Sequence, residues 1–228
     1  MDFPSVGATE NTILAAVFAE GTTKITNAAM EPEIVDLVKC LNKMGAKIEG
    51  AGTNIITITG VNKLKDISYT VMQDRIEAGT LLCAAAITEG NITLNYRTPE
   101  HITPIINKLE EAGGKIITEK GKVIYSAPKK LKAVDIKTMP YPGFPTDMQS
   151  IFASTLTLAK GTSVVIENIF ENRYRYVAEL KKMGAKITVE GKTAVIKGVR
   201  KLSGAKVKST DLRGGACLVL AGLAAKGT

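Results

Sequence analysis

The chain has 228 residues, of which 45% are hydrophobic, and its 30 basic and 22 acidic side chains give a formal net charge of +8. This length allows one large domain or two modest ones, and the apolar content is enough for a packed core. Most of the excess charge is expected to be a solvated surface. The basic residues are scattered and lack interleaved aromatic residues, which disfavours nucleic acid as a partner and leaves small phosphorylated ligands.

Cysteine and histidine usage limits the possible chemistry. The cysteines Cys40, Cys83 and Cys217 are far apart, and His101 is the only histidine. This pattern excludes a zinc site of usual spacing and a catalytic unit pairing histidine with serine or cysteine, so we expect no metal and no cofactor. Isolated cysteines, an amino terminus without a basic leader and the lack of a long apolar run predict a cytoplasmic protein with no membrane partner.

Two glycine markers recur along the chain at intervals of about 70 residues. The first is an apolar, helix-like run leading to a glycine, and the second is a glycine shortly before a Lys-Ile pair. Markers that keep both period and offset indicate internal repeats. The last copy ends just after its first marker, so we expect a chain cut through a repeat. The markers lie at Gly21, Gly90, Gly161 and Gly227, and at Gly45, Gly113 and Gly184.

Each repeat is predicted to open with a helix that is apolar nearly all round, over 13–19, 81–87, 151–159 and 216–225. Such a helix is expected to be buried on all sides, with the first-marker glycine as its C-terminal cap. A short strand, an amphipathic helix and two further strands follow. The repeat is therefore a βαβαββ unit, an α/β (α+β) class with buried central helices and outer sheets, and the first break is expected near 65–74.

Polar segments precede each of the predicted buried helices. Serine, threonine and aspartate there can cap the free N–H groups of a helix start. Capping does not explain Arg75 and Arg213, because a cation is unfavourable at the positive end of a helix dipole. Each guanidinium therefore needs a nearby anion. That anion is either a bound phosphate or carboxylate, or the carboxylate of a neighbouring repeat.

Several of these segments resemble the enolpyruvyl transferase family, and the resemblance extends from Phe3 to Thr228. The strings that carry it are FPSVGATEN, NAAMEPEIVDL, DRIEAGT, FPTDMQ, ENIFENR and STDLRGGACLVLAGL. The family fold is an inside-out α/β barrel in which each of two globular domains contains three βαβαββ units. By this resemblance, 1–72 is the last unit of the first domain. Residues 73–228 then form a second domain of two units and a truncated third.

The resemblance implies a transferase that moves enolpyruvyl from phosphoenolpyruvate to the 3-hydroxyl of UDP-N-acetylglucosamine. That reaction belongs to peptidoglycan biosynthesis, and so to cell-wall biogenesis, cell shape and cell division. Asp147 matches the aspartate that binds the hydroxyl, as a base or as an orienting group. The matched substrate-binding residues are Phe3, Pro4, Ser5, Val6, Gly7, Asp147, Ile169, Phe170 and Arg213. Arg75, Glu77, Glu33 and Arg173 also lie in shared motifs, where ion pairing between repeats is as good an explanation as substrate contact.

The family's lid-loop cysteine has no counterpart among the three cysteines, and its N-terminal lysine–asparagine motif and last arginine-bearing segment are also unmatched. We therefore expect a fragment lacking both ends, whose partner is the missing remainder of the same polypeptide and which is inactive alone. Two alternatives stay open. One is 5-enolpyruvylshikimate-3-phosphate synthase, the shikimate branch of the family, and the other is a non-catalytic module that binds a UDP-sugar or another anion.

Overall fold

A computed structural model describes residues 1–227, so Thr228, the last residue of the predicted second domain, lies outside the described residues. The chain divides into two compact units. The first unit is Met1–Met72 together with Pro140–Pro142, and the second is Gln73–Met139 together with the chain from Gly143 onward. Each unit has its own cluster of buried apolar side chains.

The first unit packs two helices against one sheet. Its elements are α1 (Val6–Ala16), β1 (Thr22–Thr26), α2 (Pro32–Met44), β2 (Lys47–Glu49) and β3 (Ile55–Thr59). The strands form an antiparallel sheet in the order β1-β3-β2. Alternation along β3 buries Ile56 and Ile58 completely, and these side chains join Ile34 of α2 in the core.

The second unit begins with a repeat of the same pattern. Its elements are α3 (Arg75–Ile87), β4 (Asn91–Asn95), α4 (Thr103–Glu111), β5 (Lys115–Glu119) and β6 (Lys122–Ser126). The strands again form an antiparallel sheet, in the order β4-β6-β5. A short 3-10 turn, Pro99–Ile102, leads into α4.

The remainder of the second unit contains one complete βαβαββ unit and the start of another. The elements are β7 (Ile136–Lys137), α5 (Gln149–Leu156), β8 (Thr162–Ile166), α6 (Tyr176–Lys182), β9 (Lys186–Glu190), β10 (Thr193–Lys197), β11 (Leu202–Ser203), α7 (Leu212–Ala224) and β12 (Ala225–Lys226). The sheet order is β7-β8-β10-β9, in which β7 and β8 are parallel. Among the described residues, the six elements belong to one repeat only from β7 to β10. No described strand comes before α1, and β3, which precedes α3, belongs to the sheet of the first unit.

The apolar helices differ in how far they are buried. Every residue of α5 is buried, as predicted, and α5 packs against both α3 and α7. The prediction of burial on all sides is wrong for α1, α3 and α7, which expose Leu14, Leu81, Val219 and Leu223. Apolar composition determines what a helix is able to bury, whereas neighbouring elements determine which of its faces are covered.

The predicted helix ends also need correction. The helices α1 and α5 end at Ala16 and Leu156, before the predicted 19 and 159, so the first-marker glycines are not their caps. Instead, a second-marker glycine, Gly45, caps α2 in the left-handed conformation with φ 108°. Its N–H donates to the carbonyls of Leu41 and Asn42, which satisfies the helix end.

A close backbone approach recurs in two repeats. A Cβ atom built on Gly60 would lie 1.6 Å from the carbonyl oxygen of Ala19, and one on Gly198 would lie 1.6 Å from that of Ala159. Each glycine follows the last strand of its repeat and donates its N–H to the carbonyl of Gly21 or Gly161, respectively, at 3.0 Å. Only a residue without a side chain allows the strand to end against the helix-to-strand turn in this way.

We expect Gly198→Ala to lower the free energy of unfolding by about 2–3 kcal/mol, because the backbone around Ala159 must move to relieve the overlap. The matched control is Gly222→Ala in α7, where the added Cβ meets open space and should stabilise the helix by about 0.5 kcal/mol. Urea unfolding of both variants measures the difference. Equal effects of the two substitutions would contradict this account of Gly198.

Candidate functional site

The starts of two helices lie together in the second unit. The helix α5 packs along α7, and the Ser150 hydroxyl donates to the carbonyl oxygen of Arg213 at 3.0 Å. Two of the polar segments identified in the sequence, those preceding α5 and α7, are therefore adjacent. Because α5 is buried along its whole length, the relative position of these two helix starts is set by the core.

Asp147 pairs with two arginines at this place. It lies in the 3-10 turn Thr146–Met148, which leads directly into α5. Nη2 of Arg173 donates to Oδ1 of Asp147 at 2.7 Å, and Nη2 of Arg213 donates to Oδ2 at 2.9 Å. Two of the predicted residues, Asp147 and Arg213, thus meet in one cluster, together with Arg173 from the weaker set. We call these three residues the arginine–aspartate cluster.

The electrostatics of the arginine–aspartate cluster favour an ionised carboxylate. Burial of Asp147 pushes its pKa upward, but the hydrogen bond and charge of Arg213, together with those of Arg173, hold that pKa below its ordinary value of 3.8. The Asp147 side chain keeps 40% of its surface exposed, so solvent weakens these interactions. With one carboxylate and two guanidinium groups, the cluster carries a net charge of +1, which favours binding of an anion.

The anion that the sequence required beside Arg213 is the Asp147 carboxylate. Arg213 lies in the first turn of α7, where the helix dipole disfavours a cation, and Asp147 belongs to the preceding repeat. The alternative of a carboxylate from a neighbouring repeat is therefore realised at Arg213. At Arg75, the first residue of α3, the side chain is buried with 8% of its surface exposed.

The segment after β8 lines the exposed side of the cluster. The Arg173 guanidinium lies over the Phe170 ring, 4.9 Å from its centroid, which restrains the arginine in a stacked position. Phe170 is 51% exposed and Ile169 is half-buried. The predicted residues Ile169 and Phe170 thus lie on the same short segment as Arg173.

At three of the other helix starts, the polar side chain is a cap. Ser5 accepts from the N–H of Ala8, Asp74 from those of Ile76 and Glu77, and Asp211 from that of Gly214. At α5 no side chain caps the helix, and Asp147 pairs with arginines instead. Asp147 therefore differs from its counterparts in the other repeats.

The remaining predicted residues are distributed over both units. Phe3, Pro4, Ser5, Val6 and Gly7 lie before and within the first turn of α1, and Phe3 is 50% exposed. Glu33 lies in the first turn of the first unit's α2, and Glu77 is exposed in the first turn of the second unit's α3.

Glu33 belongs to an acidic group in the first unit. Burial, followed by the charges of Glu33 and Glu31, raises the pKa of Glu10 above its ordinary value. Among residues 1–227, no three histidine, cysteine, aspartate or glutamate side chains are placed to hold a metal ion. No helix in this part of the chain is long and apolar enough to cross a membrane.

Sequence reasoning missed three polar residues that support the cluster: Thr138, Thr146 and Glu167. Glu167 directly follows β8 and is 1% exposed, and it accepts hydrogen bonds from both threonine hydroxyls. The sequence did contain a signal for Glu167, because a carboxylate directly after an apolar strand is buried when the strand is buried. This signal was overlooked because Glu167 belongs to the same string, ENIFENR, as Arg173, which drew more attention.

The chain is similar to known enolpyruvyl transferases over its whole length. The family model for EPSP synthase (3-phosphoshikimate 1-carboxyvinyltransferase) matches residues 1–228. UDP-N-acetylglucosamine 1-carboxyvinyltransferase 1 of Caldanaerobacter subterraneus subsp. tengcongensis is 60% identical over 227 residues, which cover 100% of this chain and 55% of that protein. UDP-N-acetylglucosamine 1-carboxyvinyltransferase 2 of Carboxydothermus hydrogenoformans is 55% identical, covering 100% of this chain and 55% of that protein. The chain thus spans about half the length of these relatives.

Solved structures agree with the fold. The enolpyruvyl transferase NikO from Streptomyces tendae superimposes with a TM-score of 0.85 at 25% identity, covering 96% of this chain and 53% of that one. An EPSP synthase structure from Acinetobacter baumannii gives a TM-score of 0.70 at 24% identity, covering 99% of this chain and 55% of that one. The predicted α/β class and the resemblance to the enolpyruvyl transferase fold are therefore confirmed.

We expect Asp147→Asn to lower the free energy of unfolding at pH 7 by about 1 kcal/mol, after allowance for solvent screening. Because the folded-state pKa of Asp147 lies below its ordinary value of 3.8, the ionised carboxylate stabilises the fold above that value. This contribution is lost as the pH falls through the folded-state pKa. The deficit of the variant should therefore shrink below about pH 4.

Urea unfolding of wild type and variant at pH 7 and at about pH 3 measures this dependence. The control is Glu111→Gln, which removes the exposed ion pair with Lys108 and should change stability at pH 7 by less than about 0.5 kcal/mol. A deficit of Asp147→Asn that is the same at both pH values would show that the Asp147 charge does not stabilise the fold.

Proposed function

The chain belongs to the EPSP synthase family of carboxyvinyl transferases, and on that premise we propose that the polypeptide containing it transfers enolpyruvyl to UDP-N-acetylglucosamine. The donor in this proposal is phosphoenolpyruvate and the acceptor group is the sugar 3-hydroxyl. The arginine–aspartate cluster carries the proposal, because it joins an acceptor for a hydroxyl to two groups that bind anions. The reaction would serve peptidoglycan and cell-wall synthesis in the cytoplasm.

The choice of acceptor is supported by the names and similarity of the relatives. Two relatives at 60% and 55% identity are named for UDP-N-acetylglucosamine. The EPSP synthase structure, at 24% identity, supports the fold alone. We therefore favour the UDP-sugar over shikimate 3-phosphate as the acceptor.

The charges of the arginine–aspartate cluster suit phosphoenolpyruvate, which carries a phosphate and a carboxylate. Arg213 is 27% exposed and Arg173 is 17% exposed, so both guanidinium groups are partly withdrawn from water. Charge-assisted hydrogen bonds are stronger in such surroundings than at a fully exposed site. A bound anion would compete with Asp147 for these arginines, and the net positive charge of the arginine–aspartate cluster would attract it.

This competition gives Asp147 a role that depends on the substrate. In the transfer, the sugar 3-oxygen bonds to C2 of the enolpyruvyl group, the bond from C2 to the phosphate oxygen breaks, and a base must take the hydroxyl proton. While both arginines hold Asp147, its pKa is low and it is a weak base that orients the hydroxyl. An anion that draws Arg213 or Arg173 away would raise that pKa and strengthen the base.

The start of α1 is proposed as the contact for the nucleotide. Phe3, Pro4, Ser5, Val6 and Gly7 match the family segment beside the uridine diphosphate. The first turn of α1 contains no acidic residue, and a Cβ on Gly7 would meet nothing within 4 Å. An open helix start of this kind allows a phosphate to approach the backbone N–H groups. Separately, Ile169 and Phe170 offer partly exposed apolar surface beside Arg173 of the arginine–aspartate cluster.

A chimera tests the proposal. It joins this chain to the part of the Caldanaerobacter relative that the chain does not span. Phosphate release that requires both phosphoenolpyruvate and UDP-N-acetylglucosamine supports the proposal. Release with shikimate 3-phosphate in place of the UDP-sugar indicates the shikimate branch. Binding of the UDP-sugar without phosphate release indicates a non-catalytic module.

In the chimera, we expect Asp147→Asn to lower kcat by about 10²–10⁴-fold, because the amide retains the shape but cannot accept the proton. The KM for the UDP-sugar should change little, since the amide still hydrogen-bonds the hydroxyl. The matched control is Asp135→Asn. Asp135 accepts from the Val164 N–H at 2.7 Å, which the amide oxygen also does, so turnover should be unchanged. A near-wild-type kcat in the Asp147 variant would leave this residue a purely structural role.

A further inference from the structure

Glu167 is a buried carboxylate with an unusual set of partners. It is 1% exposed and lies directly after β8. Within the described residues no lysine or arginine forms an ion pair with it. A buried carboxylate without a cation needs several hydrogen bonds to offset the loss of water. Glu167 has four.

The four donors come from three separate segments. Oε1 of Glu167 accepts from the Thr138 hydroxyl at 2.8 Å and from the N–H groups of Ile169 at 2.8 Å and Phe170 at 3.1 Å. Oε2 accepts from the Thr146 hydroxyl at 2.9 Å. An ionised carboxylate only accepts hydrogen bonds and has about four acceptor positions, so the four donors match its capacity.

The parallel pairing of β7 and β8 explains how these segments meet. Ile136 pairs with Val165, and Lys137 pairs with Ile166, so the ends of both strands lie side by side. The next residues are Thr138, which is fully buried, and Glu167. Thr138 also ties the following segment, because its hydroxyl accepts from the Asn168 N–H at 2.9 Å.

These hydrogen bonds connect the two segments that carry the arginine–aspartate cluster. Thr146 is the residue before Asp147, and Ile169 and Phe170 begin the short segment that presents Arg173. The Glu167 carboxylate therefore accepts hydrogen bonds from both segments. These two segments carry the side chains of the 2.7 Å ion pair between Arg173 and Asp147. The far end of the Arg173 segment is held as well, because the Tyr174 hydroxyl contacts the Val165 carbonyl at 2.8 Å.

We propose that Glu167 is a positioning residue, which holds the segments of Asp147 and Arg173 at the separation where these two side chains pair. Its carboxylate acts through Thr146 on one side and through the N–H groups of Ile169 and Phe170 on the other. What the positioned pair does in turnover rests on the proposed function, whereas the positioning itself is measurable without turnover.

The test follows the titration of the Asp147 carboxyl carbon by NMR in the 228-residue chain. Glu167→Ala removes all four hydrogen bonds, and Thr146→Val removes only the bond to the segment of Asp147 at nearly constant shape. In both variants Arg173 should be held less well, so the pKa of Asp147 should rise toward its ordinary value. Thr146→Ser keeps the hydroxyl and should titrate as wild type does.

Two further variants separate positioning from general destabilisation. Ser163→Ala removes a buried acceptor that binds the Val134 N–H at 3.1 Å, elsewhere in the same unit, and should leave the Asp147 titration unchanged. In a chain that already carries Arg173→Ala, Thr146→Val should no longer shift the titration, because the side chain that it positions is gone.

The proposal is overturned if Thr146→Val, folded as judged by its amide spectrum, titrates at Asp147 like wild type. It is also overturned if the shift persists undiminished in the Arg173→Ala chain, or if Ser163→Ala produces the same shift. Should Glu167→Ala fail to fold, Thr146→Val decides alone. If the pKa of Asp147 shifts as expected but the chimera shows no turnover, the positioning role is supported and the proposed function is overturned.

Discussion

Burial of α5 on every side is the constraint on which the rest of the second unit depends. The helix Gln149–Leu156 has no exposed residue and packs against α3 and α7, so it cannot shift without opening the core. The turn before it carries Asp147, and the start of α7 carries Arg213. Core packing therefore sets the distance between two charged groups that no local sequence rule places together.

The arginine–aspartate cluster shows how one repeat differs from the others. Ser5, Asp74 and Asp211 cap their own helices, and each satisfies backbone N–H groups within its own repeat. Asp147 instead pairs with Arg173 of its own repeat and with Arg213 of the next repeat. In the repeat that contains α5, the carboxylate therefore binds two arginines instead of backbone N–H groups. The two arginines and one aspartate leave a net positive charge beside the exposed Phe170 ring.

Much of this fold was predictable because its repeats are strongly patterned. The period of the glycine markers, the amphipathic face of α2 and the alternation along β3 each reflect the local geometry of a helix or strand. The starts of the apolar helices were less predictable, because polar residues form their first turns and resemble loops in the sequence. Asp147 was a candidate site residue by resemblance, and Arg213 by resemblance and by its unfavourable position in the helix dipole, but their mutual contact was not predictable.

By itself, the sequence determined the class of fold, the order of elements from the apolar helix onward in each complete repeat, and the positions where a charge at a helix start required a partner. Only the tertiary structure decided that the partner of Arg213 is Asp147, that Arg173 shares it, and that α1 and α7 keep exposed apolar faces. Local rules depend on residues a few positions apart, which one strand or helix brings together. Pairing across repeats depends on how whole helices and sheets pack, because that packing alone brings residues distant in the chain within hydrogen-bonding distance.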